Sequence, residues 1–134
     1  MTDATRPNRI LIVEDEVLVN LDVAEALRED GFDTISAHSA EDGLAILERD
    51  PGVKVVFTDV DLPGRDGIAL AREITRRWPQ IEILVTSGKH VPELASLDLV
   101  TSYGRFVEKP YPTDAVVRRV HEILGSPAPH ERRA

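Results

Sequence analysis

Short runs rich in β-branched and apolar residues alternate along this chain with longer segments of helical spacing. That alternation restricts the fold more than any other feature. The runs are Ile10–Val13, Thr34–Ala37, Val53–Thr58, Ile81–Thr86 and Arg105–Glu108. Between them, apolar side chains recur every three or four residues, the period of a helix with one buried face. Val17, Leu18, Leu21, Ala24 and Leu27 form the first expected buried stripe, with Asp22, Glu25 and Arg28 off it and Gly31 as the stop. Ser39, followed three residues on by Asp42, resembles a capping box with Asp in place of Glu or Gln. It opens a stripe of Ala40, Leu44 and Leu47 that Asp50-Pro51-Gly52 ends. Ile68, Ala71, Ile74, Thr75 and Trp78 form a third stripe, stopped by Pro79. Val116, Val120, Ile123 and Leu124 form the last, stopped by Gly125. The stretch from Lys89 to Gly104 is the least regular, and Pro92 could open a helix through Leu94, Ala95 and Leu99. Five strands alternating with five helices predict an α/β fold, a parallel sheet with helices on both faces. The third and fourth runs read as near-continuous apolar runs, as strands buried on both faces should.

With 134 residues the chain has the length of one domain. Residues 9–125 are expected to fold, between a flexible N-terminus (1–8) and a flexible C-terminal tail (126–134). Sixteen Lys and Arg against 24 Asp and Glu leave a net charge of −8. Such a surface repels phosphate backbones and anionic lipid, so neither nucleic acid nor membrane is an expected partner. The absence of cysteine excludes disulfides, zinc fingers, iron–sulfur sites and thiol nucleophiles. No apolar run approaches the roughly 20 residues that span a bilayer. Met1 to Arg9 lacks the apolar stretch of a signal peptide, so the expected location is the cytoplasm.

Open α/β sheets bind ligands outside the carboxyl ends of their strands. Glu14, Asp15 and Glu16 follow the first run, and Asp59 and Asp61 the third. Thr86 and Ser87 end the fourth, and Lys109-Pro110 follows the fifth. Singly, each is a common cap or loop residue. Together they gather acids, a hydroxyl and an ammonium on one sheet edge. Two carboxylates 4 Å apart at an effective dielectric of 20 repel by about 4 kcal/mol. Such a cluster therefore holds a proton or a cation. All-oxygen ligands with room for water suit Mg²⁺. A carboxylate beside Mg²⁺ and a lysine can act as a nucleophile on phosphorus, because phosphoryl transfer asks mainly for positioning and charge.

Four segments carry a family resemblance: Ile-Leu-Ile-Val-Glu-Asp-Glu (10–16), Phe-Thr-Asp-Val-Asp-Leu-Pro-Gly (57–64) with Asp66-Gly67, Leu-Val-Thr-Ser-Gly (84–88) and Phe-Val-Glu-Lys-Pro-Tyr (106–111). In order and spacing they resemble the receiver domain of two-component response regulators, over roughly residues 8 to 125. The resemblance implies a flavodoxin-like fold with sheet order 2-1-3-4-5 and Asp59 as the phospho-acceptor. It implies Mg²⁺, with Mn²⁺ able to substitute, held by Asp15 directly, Glu14 through water, Asp59, and the backbone carbonyl of Asp61. Thr86 and Lys109 would meet phosphoryl oxygens, and the Asp61 side chain would sit at the mouth of the site. Phe106 would be the aromatic switch that follows Thr86, by packing alone because it has no hydroxyl. Lys109-Pro110 would be a cis peptide. The donor would be a histidine kinase or a histidine phosphotransfer protein. The chain would be a stand-alone receiver, catalysing only its own phosphorylation and dephosphorylation. Its output would be protein binding, relay to another histidine, or drainage of phosphate from a shared kinase.

Two other classes fit part of the pattern. A receiver-like interaction module that is never phosphorylated would need none of the five residues Glu14, Asp15, Asp59, Thr86 and Lys109, all of which are present. Asp59-Val60-Asp61 also matches the Asp-x-Asp of haloacid-dehalogenase-like phosphotransferases. There, however, the acidic pair follows the lysine, and the Asp-x-Asp strand opens the domain.

Overall fold

The computed structural model describes residues 8–88 and 106–125. The expected helix from Pro92 through Leu99, Arg105 of the fifth run, and both terminal stretches apart from Asn8 lie outside those residues. In chain order the elements are β1 (Arg9–Val13), α1 (Val17–Glu29), β2 (Asp33–Ala37), α2 (Ala40–Arg49), β3 (Val53–Asp59), α3 (Gly67–Arg77), β4 (Glu82–Ser87), β5 (Phe106–Glu108) and α4 (Thr113–Leu124). All pairings are parallel and the strand order is β2-β1-β3-β4-β5. None of the helices among the described residues is long and apolar enough to cross a membrane.

The sheet divides two cores by simple alternation along each strand. Leu11, Val13, Val56, Ile83 and Val85 face α2 and α3, packing with Leu44, Leu47, Leu70 and Ile74. Ile10, Ile12, Val55, Phe57 and Leu84 face α1 and α4, packing with Val23, Leu27, Val116 and Val120. Trp78 is half-buried against the first core. Ser39 caps α2, its Oγ accepting from Asp42 N at 3.1 Å, and Asp66 caps α3, its Oδ1 accepting from Ile68 N at 2.9 Å. Gly125 ends α4 in the left-handed region at φ 76°, which a side chain would strain. Buried His121 of α4 pairs with Asp30 at the end of α1 and lies against the Phe32 ring.

The expected stripe of α1 needs correction. Val17, Leu18 and Leu21 are exposed, at 63%, 75% and 46%. The face on the sheet is Asn20, Val23, Ala24 and Leu27. A polar residue whose amide finds partners inside stands on the buried face, so the longest apolar stripe is not the buried one. On α3, Thr75 is exposed and Leu70 is buried instead.

Candidate functional site

The C-terminal ends of the strands bring the acids together. Glu14 prolongs β1: its N–H donates to Ala37 O at 3.0 Å, continuing the ladder to β2. It is 2% exposed, whereas Asp15 and Glu16 are exposed. The Glu14 Oε2 accepts from Glu16 N at 2.9 Å, so the acid loop folds back on itself where α1 begins. Asp59, the last residue of β3, is also 2% exposed. Its Oδ1 accepts from Asp61 N at 2.9 Å, and its Oδ2 accepts from Lys109 Nζ at 2.7 Å. Carboxylate oxygens of Glu14, Asp15 and Asp59 all lie within 4.8 Å of one another.

Two further attachments fix Asp59. Asp59 pairs with Thr86 in the ladder, and Val60 N donates to Thr86 O at 2.9 Å. On the other side, the start of α3 comes so close that a Cβ on Gly67 would stand 2.3 Å from Asp59 O and 2.4 Å from Val60 Cα. Only glycine permits that approach. Lys109 N donates to Ser87 O at 3.0 Å, which aims the lysine back over the site, and the Lys109–Pro110 peptide is cis. Thr86 is fully buried, and its Oγ1 has no hydrogen-bond partner among the described residues. Asp61 is exposed, its Oδ2 accepting from Ser87 Oγ at 3.3 Å. Phe106 pairs with Val85, one residue before Thr86, and is half-buried against the core of α2 and α3.

The electrostatics follow from this crowding. Burial pushes the Glu14 carboxyl up to about 7; the Glu16 N–H opposes this, Asp59 and Asp15 add to it, and Lys109 subtracts. Burial alone would lower the Lys109 ammonium, but its bond to Asp59 and the charges of Asp59, Glu14 and Asp61 outweigh burial and hold it above its ordinary value. The Tyr111 hydroxyl is buried without a partner among the described residues, and its ring meets Phe57 edge-on at 5.9 Å. Burial raises it well above the ordinary tyrosine value, and the charges of Glu14, Asp59 and Glu16 raise it further.

Of the residues singled out in the sequence, Glu14, Asp15 and Asp59 therefore cluster, and Lys109 bonds Asp59. Asp61 joins them through its amide, and Thr86 lies beside Asp59 in the ladder. Sequence reasoning missed Asn20, Gly67 as a steric requirement, and Tyr111. An asparagine interrupting a helical face is the one signal that could have marked Asn20.

A sheet of this order with acids, hydroxyl and lysine at one edge defines a class, and the comparisons agree. The profile of the response regulator receiver domain matches residues 10–121, and the chain belongs to that family. Its members are phospho-accepting signalling modules, not conventional enzymes. Among relatives, the transcriptional regulatory protein PdtaR of Mycobacterium tuberculosis is 43% identical over 77 residues, which is 56% of this chain and 37% of PdtaR. The sensor kinase CckA of Brucella abortus is 32% identical over 125 residues, 92% of this chain but 13% of the kinase. The chemotaxis protein CheY of Treponema pallidum is 26% identical over 122 residues, covering 88% of this chain and 83% of CheY. A response regulator receiver protein from Sinorhizobium medicae has the same fold at a TM-score of 0.79 and 25% identity, over 91% of this chain and 98% of that one.

Proposed function

We propose that this chain takes a phosphoryl group onto Asp59 from a phosphohistidine of a histidine kinase or histidine phosphotransfer protein. The reaction depends on Mg²⁺ (Mn²⁺ serves in its place), and the signal passes on by protein binding or by relay to another histidine. The observation that carries this reading is the Asp59 carboxylate. It is buried, held by Lys109 at 2.7 Å, and clustered with the oxygens of Glu14 and Asp15.

The donor set fits a hard divalent cation: three carboxylates, no nitrogen or sulfur, and one member, Asp15, open to solvent. Glu14, Asp15 and Asp59 would hold it, with the Asp61 carbonyl. When bound, it would supply positive charge to the phosphoryl oxygens.

The rest is the work of the chain's own residues. A carboxylate oxygen of Asp59 forms the new bond to phosphorus as the phosphorus–nitrogen bond breaks, and that electron pair leaves with the donor imidazole. The Asp61 N–H and Lys109 hold the carboxylate in place before attack. Lys109 stays charged across the physiological range and can turn from Asp59 to a phosphoryl oxygen. The Thr86 hydroxyl, without a partner among the described residues, supplies a second donor, and Phe106, one register step away, follows Thr86 by packing.

The donor protein must bring its histidine to Asp59, so it must cover the mouth of the site. Val17 and Leu18 begin two residues beyond Asp15 and, with Leu21, leave an apolar strip on α1 exposed. An apolar helix face on the donor protein is the occupant this strip suits.

Incubation with Mg²⁺ and a small acyl phosphate, followed by intact mass measurement, tests the reading against Asp59→Ala. One phosphoryl group on the wild type and none on the variant is the expected result. Many turnovers of donor without an adduct would favour a phosphatase. No adduct and no turnover from folded protein would favour a silent interaction module.

A further inference from the structure

We infer that Asn20 is a positioning residue of the acid loop: its buried carboxamide ties the backbone that carries Glu14 and Asp15 to the end of β2. The inference rests on the receiver reading above and deepens it. Asn20 is the fourth residue of α1 and is 1% exposed, among Val23, Ala24 and Leu27 on the face against the sheet. Its Nδ2 donates to Ala37 O at 3.0 Å and to Glu14 O at 3.1 Å, with Ile12 O further off at 3.5 Å. Three carbonyl oxygens surround that atom, so it must be the amide nitrogen; the opposite orientation would set oxygen against oxygen.

These bonds do more than satisfy stranded carbonyls. Ala37 O already accepts from Glu14 N, and Glu14 O also lies 3.3 Å from His38 Nδ1. Each carbonyl has a second lone pair, and Asn20 occupies it. The effect is a cross-link. One side chain joins the first turn of α1, where Asn20 N donates to Glu16 O, to the ends of two neighbouring strands. Glu14 is one of those anchors, and Asp15 lies in the short stretch between its carbonyl and the first turn of α1. Asn20 Oδ1 is buried with no partner among the described residues. A buried, unmade acceptor lowers stability. An apolar residue would suit the same position without it, which sets Asn20 apart from Val23 and Leu27. The direction of the tether also matters. It holds the carbonyl of Glu14 against the end of β2, in the same loop whose Glu14 and Asp15 carboxylates lie beside Asp59.

The test compares Asn20→Leu, which keeps volume and removes the donor, with Val23→Ala, which weakens the same helix face without touching the loop. MgCl₂ is titrated into each protein by calorimetry, with melting temperature measured alongside. Asn20→Leu should bind Mg²⁺ about tenfold more weakly than wild type, the scale on which partners behind metal ligands act. Val23→Ala should lose comparable stability and keep its affinity within about twofold. Equal affinity in Asn20→Leu and wild type would overturn the inference, and so would an equal loss in Val23→Ala. If wild-type protein binds no Mg²⁺, the receiver reading fails first. The tether is then read without a cation, from hydrogen exchange of the Glu16 amide that donates to Glu14. Faster exchange in Asn20→Leu but not in Val23→Ala supports it; equal exchange refutes it.

Discussion

Glu14→Gln isolates the strain of the acid cluster. The native carboxyl is 2% exposed and titrates at about 7 instead of the ordinary 4.5. The folded protein therefore holds a proton on Glu14 between pH 4.5 and 7 that the unfolded chain has released. Stability from this group is full below pH 4.5 and is lost as pH rises through 7. At 1.36 kcal/mol per pH unit the loss is about 3 kcal/mol, or roughly 10 °C in melting temperature for a chain of this size. Glutamine retains an oxygen to accept the Glu16 N–H but cannot ionise. Its stability relative to wild type should therefore climb by about 3 kcal/mol from pH 4.5 to pH 8 in chelator. Urea denaturation at four pH values reads this directly. A pH-independent offset would report only packing; the slope carries the argument. Saturating MgCl₂ should remove most of the slope by stabilising the ionised wild type. Parallel stability curves for the two proteins in chelator would refute the reasoning.

MgCl₂ at 100 times its dissociation constant should stabilise wild type by about 2.7 kcal/mol, and a melting temperature indifferent to it would remove the cation from the site. Lys109→Ala should slow acyl-phosphate labelling on the order of a hundredfold while the melt stays cooperative; loss of the fold itself would make Lys109 a structural residue. Gly67→Ala forces a Cβ to 2.3 Å from Asp59 O and should lower stability by about 3 kcal/mol in denaturant titration, with labelling impaired as well. Leu18→Asp should cut transfer from a phosphohistidine protein about tenfold and leave labelling by acyl phosphate unchanged, since only the protein donor needs the α1 strip.

The sheet was legible because its evidence is local. Val53–Thr58 and Ile81–Thr86 differ from the observed strands by one residue at their ends, and the caps at Ser39 and Gly125 are where backbone chemistry puts them. The phase of α1 was not legible. A helical wheel ranks faces by hydropathy, whereas Asn20 is buried by three carbonyls that only the assembled β1 and β2 present. The same holds for Gly67, whose requirement is a close approach to β3 that no spacing rule contains. Glu14, Asp15, Asp59 and Lys109 could be grouped because parallel topology sends every strand end to one edge. Their bonds, and the Thr86 and Tyr111 hydroxyls that find no partner among the described residues, depend on the assembled tertiary structure.

Trp78 is the only tryptophan, and it closes α3 with the Arg77 guanidinium 4.3 Å above its ring. The helix starts against Asp59 at Gly67 and runs back some eleven residues, which places the indole about 16 Å down the axis from the site. The native optical reporter thus looks at the wrong pole of the molecule. Its emission should follow unfolding faithfully and stay nearly silent to cation or phosphoryl binding. An indole moved to the Phe106 position in a Trp78→Phe background would stand beside Thr86 in the sheet, and its spectrum would test whether that position responds to phosphorylation.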